Sequence, residues 1–413
     1  MRWPAGTCVV MAAVLVVMGG CGGEDSDSTA GQSAEPEVTG GLLDWVSVDL
    51  DVQMETAVAL GNGFVGQTIE VKPGADETTQ MPYLFMVVTS ADGVTWTEAE
   101  IDLLGPDEGV SWQSGGPFGA VASVMSARGE SPVPELLYSS DGETWMRGQL
   151  PDDVLDKAAM GFGPVSFAAG AAGVMVAANM DGGTGMTSVV LLTEDLQTWK
   201  EVEHPQSTAG DMGLEVTANP DGEYLLSAPV GGAAGPVPIV GAVSSDGQTW
   251  EVVTSTEEYR IAGGGNDWST GWRDGFAVVA QVFGDDAPGQ EEGMGQTQIW
   301  LLTEDRTWSE VDMANVPASH VVPGEHHGSS IGLLVVGEDM SQHDAELAEG
   351  DTSLLLTSDG QTWEDIGTDL PLGGPTMAMP LVLGETRMLV GVRGPNVPAP
   401  AEMQLWVGTP IER

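Results

Sequence analysis

The sequence predicts an all-β protein, a seven-bladed β-propeller in which the N-terminal strand closes the last blade. Three observations predict it. A short box ending in tryptophan recurs at intervals near fifty residues, four strand-like runs fill each interval, and a lone strand at one end of the repeat region matches a sheet short of one strand at the other. A period near fifty suits one four-stranded propeller blade.

The boxes are T-S-A-D-G-V-T-W (Thr89 to Trp96), Y-S-S-D-G-E-T-W (Tyr138 to Trp145), L-T-E-D-L-Q-T-W (Leu192 to Trp199), V-S-S-D-G-Q-T-W (Val243 to Trp250), L-T-E-D-R-T-W (Leu302 to Trp308) and L-T-S-D-G-Q-T-W (Leu356 to Trp363). An apolar run such as Leu84 to Val88 enters the box and alternating residues such as Thr95 to Ile101 leave it, which reads as two strands joined by a turn. Asp-Gly favours the centre of a two-residue hairpin turn, because glycine accepts positive φ and the aspartate can bind nearby backbone N–H groups. Asp92, Asp141, Asp195, Asp246, Asp305 and Asp359 are therefore read as turn locks. Their partners Trp96, Trp145, Trp199, Trp250, Trp308 and Trp363 supply apolar area between blades.

Two more runs precede each hairpin, for example Ala57 to Leu60 and Phe64 to Ile69 around Gly61-Asn62-Gly63. At the N-terminal side, Leu42 to Leu50 looks like an outgoing strand without its blade. At the C-terminal side, Pro380 to Val392 and Met403 to Thr409 look like three strands without a fourth. Pairing Trp45 to Leu50 with Met403 to Thr409 would make the seventh blade and leave no sheet edge at the closure.

Composition narrows the function classes. The 413 residues include 58 Gly and 25 Pro with 18% charged, as in a turn-rich globular chain. Against 62 Asp and Glu stand 12 Lys and Arg, a formal net charge of −50, so nucleic acid is a poor partner for want of clustered cations. The acidity reads as solubility and self-repulsion outside the cell, or as divalent-cation binding, although no twelve-residue calcium loop is present. No cofactor and no metal site is expected, and the propeller is expected to be a monomer.

Met1 to Cys21 has one cation at Arg2, the apolar run Val9 to Met18, then Gly19 and Gly20 before Cys21. That is the plan of a signal peptide. The small pair before Cys21 resembles a bacterial lipobox, with Met18 in the usual leucine position, and the resemblance implies lipidation of Cys21 and anchoring outside the cell membrane or in the envelope. An ordinary secretory signal or an uncleaved anchor would share the apolar run. Residues 22–41 form a flexible acidic tether, with a reach of roughly 25 Å over Gly22 to Gly40. Residues 42–413 are the propeller.

The boxes resemble the Asp-box (BNR) repeat, Ser/Thr-x-Asp-x-Gly-x-Thr-Trp, of the sialidase-like propellers. Here glycine follows aspartate directly, and the copies at Asp195 and Asp305 lack it. The resemblance implies the fold, whereas its members include enzymes, assembly factors and receptor domains. Its sialidases use an arginine triad, a Tyr–Glu pair and an acid/base aspartate. Tyr259-Arg260-Ile261-Ala262 resembles their Phe/Tyr-Arg-Ile-Pro motif, with Ala262 in place of proline. Tyr259 and Arg260 are the catalytic candidates, and Arg260 also reads as a surface ion-pair residue. His326 and His327 are expected in a solvated turn between Pro323 and Ser330, and Met377 and Met379 as adaptable packing. The loops between second and third strands (Lys72 to Gln80, Arg128 to Pro134, Asn179 to Thr187, Val230 to Pro238, Gly284 to Gln296, Glu338 to Asp351, Arg393 to Ala401) are binding loops or tolerated insertions. The sequence thus points to a non-enzymatic surface module for protein or glycan, with an exo-sialidase-like glycoside hydrolase as the alternative.

Overall fold

The computed structural model describes residues 43–48, 53–61, 63–71, 83–99, 101–105, 108–126, 135–158, 162–181, 186–205, 213–228, 237–259, 261–262, 269–282, 296–313, 316, 321–339, 352–370, 377–393 and 404–411. Alternation of apolar and polar residues makes most of them strand. One eight-stranded sheet joins a 53–98 half to a 108–149 half through a single parallel bridge, Leu60 to Gly116. Further sheets span 162–202, 215–259, 261–310 and 321–365. Within each, chain-consecutive strands pair antiparallel, and in the 261–310 sheet the short pieces Ile261–Ala262 and Ser269–Trp272 share the first-strand position.

The remaining sheet is assembled from both ends of the repeat region. Met377–Leu383, Met388–Arg393 and Gln404–Pro410 supply three strands, and Leu43–Val48 lies antiparallel on the last of them. Leu43 faces Pro410, Trp45 faces Gly408 and Val48 faces Leu405 in register.

Packing makes the series cyclic. The apolar clusters draw on two consecutive sheets or on the two halves of the eight-stranded one: Phe167, Val174 and Leu191 meet Val121, Leu136 and Tyr138, while Phe276, Trp300 and Trp308 meet Leu225 and Val243. Met54, Phe64 and Val88 meet Val382, Leu389 and Val407, so the last sheet packs on the first. First strands also approach one another all the way round, from Gln53–Leu60 and Glu108–Gly116 to Met377–Leu383 and back. Antiparallel sheets set around an axis with the first strand innermost make a β-propeller.

Two expectations need correction. The Asp-Gly boxes are not two-residue hairpin turns. Thr89 pairs with Thr97, leaving Ser90 to Trp96 as a wide loop outside the ladder. The reason is the aspartate, whose carboxylate captures N–H groups two and three residues onward and so needs a longer excursion. Two-residue turns occur instead between first and second strands, at Pro117-Phe118, Ala171-Ala172, Arg273-Asp274 and Ser330-Ile331.

His326 and His327 are not in a solvated turn either. They lie inside the strand Val321–Ser329, opposite Val335 and Leu334, and His326 is buried. Pro323-Gly324 bends this strand through a bulge between Pro323 and His326 rather than ending it.

Candidate functional site: the two faces of the propeller

In a four-stranded antiparallel meander, the first-to-second turns and third-to-fourth loops lie at one end. The second-to-third loops and the links between sheets lie at the other. The boxes therefore share a face with the inner turns, and the candidate binding loops lie on the opposite face.

The box geometry is repeated closely. Asp92 Oδ1 accepts N–H bonds from Val94 (2.9 Å) and Thr95 (2.7 Å) and the Ser90 hydroxyl at 3.1 Å. Asp141, Asp195, Asp246 and Asp359 hold the equivalent pair of N–H groups at 2.7–2.9 Å. Asp305, in the shortened box, keeps one N–H bond, from Thr307 at 3.3 Å, and the Thr303 hydroxyl. Backbone N–H bonds, led by Thr249, hold the Asp246 carboxyl down to about 2. The bond from Thr95 does the same for Asp92 and that from Thr362 for Asp359, both below the ordinary value. One oxygen of each carboxylate is held by its own loop and the charged form is favoured, which suits a turn lock and not an acid or base.

The residue after each box aspartate takes positive φ: 74° at Gly93, 80° at Gly142, 67° at Gly247 and 74° at Gly360. Where glycine is absent the conformation persists, with Leu196 at 57° and Arg306 at 62°. The tryptophans respond. Trp96 and Trp145 donate Nε1–H to the carbonyls of Gly93 (2.7 Å) and Gly142 (3.1 Å) in their own boxes. Trp199 instead donates across the seam to Gln149 O at 2.8 Å. Trp308 and Trp363 are buried, whereas Trp250 is half-buried.

The inner turns on this face are stitched together. Gly61 N–H donates to Gly116 O (3.0 Å), Ala171 N–H to Gly222 O (2.9 Å), Arg273 N–H to Ser329 O (2.8 Å), and the Ser330 hydroxyl to Glu385 O (3.1 Å). Tyr138 and Tyr224, phenols raised by burial, add bonds to Phe118 O (2.8 Å) and Gly173 O (2.7 Å). A Cβ at Gly222 would meet the Phe118 ring at 2.6 Å, so turns two sheets apart touch near the axis.

Arginines serve the same seams. Arg273 donates to Ser358 O in the next box, Arg387 to Ala91 O (3.3 Å) in the first box, and Arg306 to Glu223 in the preceding sheet. Arg147 is different, acting within its own half-sheet: it binds Glu108 through both terminal nitrogens, at 2.7 and 3.0 Å, and also Glu135 and Leu103 O.

Of the two sequence-derived catalytic candidates, only Tyr259 is among the described residues. Tyr259 ends the outermost strand Glu251–Tyr259, opposite Val237, and Ile261–Ala262 opens the innermost position of the next sheet. Arg260 lies outside the described residues, as do Cys21, the 22–41 tether and nearly all of the candidate binding loops. Met377 and Met379 sit in the first strand Met377–Leu383. Among the described residues no three His, Cys, Asp or Glu side chains gather as a metal site. Sequence reasoning missed the bulges in five first strands, which leave an extra residue such as Glu55 or Gln113 without a cross-strand partner in the ladder. Glu55 is exposed and accepts from Gln67 Nε2 at 2.8 Å. Bulges carry little sequence signal beyond the Gly-Pro and Pro-Gly pairs at two of them.

No protein-family model and no curated protein matches the chain. Solved structures do. An acylaminoacyl peptidase of Pyrococcus horikoshii superposes with a TM-score of 0.50 at 8% identity, over 88% of this chain and 52% of its own. The β-propeller domain of the Trilobed protease from Pyrococcus furiosus, described as having an open velcro topology, gives 0.45 at 7% identity, over 88% and 98%. A Trypanosoma rangeli sialidase gives 0.33 at 11% identity, over 87% and 55%. The chain thus spans about half the length of the peptidase and of the sialidase. At such identities the likeness is one of fold, and the fold is a β-propeller.

Proposed function

We propose that this chain is an exported, lipid-anchored, seven-bladed Asp-box propeller that binds a protein or glycan through its loop-bearing face without catalysis. The count of seven takes the two halves of the eight-stranded sheet as separate blades, since one parallel bridge joins them. Box carboxylates that accept their own loops' N–H groups at the third-to-fourth loops support the Asp-box reading, and the apolar run before Gly19-Gly20-Cys21 supports the anchor.

The observation that carries the reading is the division of labour between faces. On the box face, backbone N–H groups, tyrosine hydroxyls and the guanidinium groups of Arg273, Arg306 and Arg387 are committed to joining sheets. A sialidase needs three arginines convergent on a substrate carboxylate; these three are spent on the seams, and Arg147 on Glu108 and Glu135 of its own half-sheet. Recognition then falls to the opposite face, to which the strand order assigns the seven second-to-third loop segments.

The test pairs two measurements on the full chain. Fractionation of wild type and Cys21→Ala reads the anchor, and release of sialic acid from a fluorogenic substrate reads catalysis. The expected outcome is membrane retention that Cys21→Ala abolishes, with no turnover. Turnover lost in Arg260→Ala would establish the hydrolase alternative, and wild-type protein without lipid by mass spectrometry would refute the anchor.

A further inference from the structure

The seam between the 108–149 half-sheet and the 162–202 sheet departs from the other seams. Its box carries Leu196 where four other boxes have glycine, and its outer strand Met146–Gln149 runs on through Leu150-Pro151 into the helix Asp152–Ala158. Leu196 and Leu150 are buried and fill the base of the seam, and Gly148 is required because a Cβ there would strike Leu196 O. Above them lies an open groove of about 670 Å³, lined by Glu135, Arg147, Gln149, Asp152, Gln197 and Trp199. This volume falls within the range of small-molecule sites, roughly 300–1,000 Å³.

The lining is held in place before any ligand arrives. Trp199 is fixed at its Nε1 edge by Gln149 O (2.8 Å) while its ring packs partly on the apolar cluster beneath, so its remaining surface faces the groove. Gln197 Nε2 donates to Arg147 O at 2.7 Å. Glu135 is oriented by Arg147 on one oxygen and by Gln149 Nε2 on the other, at 3.0 Å. An ionised carboxylate retains acceptor capacity beyond two such bonds, and Glu135 keeps 31% of its side chain exposed.

We propose that this rim groove binds a neutral oligosaccharide, independently of the loop-bearing face. An indole face attracts the weakly positive C–H face of a sugar ring. Oriented carboxylate and amide groups beside it accept and donate to hydroxyls. An anionic ligand is disfavoured, because Arg147 is already neutralised by Glu108 and Glu135 and the protein carries a net charge of −50. A polycation is the competing occupant, since Glu135 and Asp152 line the groove, and it is the comparator in the test. The features that build the groove, Leu196, the crossing bond of Trp199 and the helix after Pro151, are the ones in which this seam leaves the repeat.

Saturation-transfer NMR on the full chain tests the proposal with cellobiose, maltose and N,N′-diacetylchitobiose as probes and spermidine as the cationic comparator. At least one disaccharide should bind saturably and be recovered unchanged. Trp199→Ala should abolish the contact, and Glu135→Gln and Asp152→Asn, which leave the seam packed, should each weaken it about tenfold through one lost charged hydrogen bond. The proposal is overturned if none of the three sugars binds, if binding is indifferent to all three substitutions, or if spermidine alone binds. Sugar binding that survives all three substitutions would place recognition elsewhere and leave the loop-face reading intact.

Discussion

The first and third boxes solve one geometric problem with different residues. In both, the residue after the aspartate must take positive φ and lie flat against the preceding sheet. Gly93 does so with no side chain, in a gap where a Cβ would stand 2.9 Å from Leu389 and 3.1 Å from Val407. Leu196 does so at φ 57° with a whole side chain buried among Leu136, Leu150 and Phe167. A branched residue there costs about 1–2 kcal/mol of backbone strain, which burial of a leucine, about 1.5–3 kcal/mol, offsets. Glycine is thus one solution to a backbone demand set by the aspartate, and a seam with more room admits another.

The comparison can be broken most severely at Leu196. Leu196→Ala keeps the strained φ and loses the packing, so it should destabilise by about 2–5 kcal/mol, read as a fall in the urea midpoint. Leu196→Gly, which also relieves the φ, should be milder than Leu196→Ala by about 1 kcal/mol, and the reverse order would remove backbone strain from the account. Next comes the opposite exchange. At Gly360 a Cβ would strike Leu301 and stand 3.1 Å from Trp272, so Gly360→Ala should cost about 1–3 kcal/mol. A smaller change is expected at the aspartate itself. Asp359→Asn keeps one acceptor oxygen and should cost about 1 kcal/mol by thermal melting, with ligand binding unchanged.

The smallest effect is one of pH. Carboxyls lowered in the folded state, as at Asp246 to about 2, stabilise the fold fully above the ordinary aspartate value and lose that contribution as pH falls from about 4 to about 2. Glu385, raised by burial and, less, by the charge of Asp221, acts in the opposite sense, since its protonation favours the folded state. Acid titration of the melting temperature should therefore show a decline between pH 4 and 2 that is shallower in Asp246→Asn.

Much of this arrangement was legible in the sequence. The repeat near fifty residues, the tryptophan after each box and the lone strand at Trp45 are periodic signals that local physics imposes, and the pairing of Trp45 with Gly408 follows from them. Less legible were features decided by a neighbour about fifty residues away. The seam arginines have no motif, because their partners are carbonyls such as Ser358 O and Ala91 O on other sheets. Pro323-Gly324 looked like a turn, but ladder bonds on both sides of a bulge kept the strand intact and buried His326. Asp-Gly suggested a minimal hairpin because backbone propensity was weighed without the side-chain bonds that widen the loop.

The pairing of Leu43–Val48 with Gln404–Pro410 has a consequence for the order of events as the chain folds. Every other sheet can form from residues close in sequence, so most of the propeller can assemble as the polypeptide emerges. The last sheet must wait for a strand made first and a strand made last, and joining them bears the loop-closure entropy of the whole repeat region. Such long-range pairing is slow compared with local hairpins. Until it occurs, the edge of Gln404–Pro410 is open to strands of other chains, so the interval between synthesis and closure is when this protein is most exposed to misassembly.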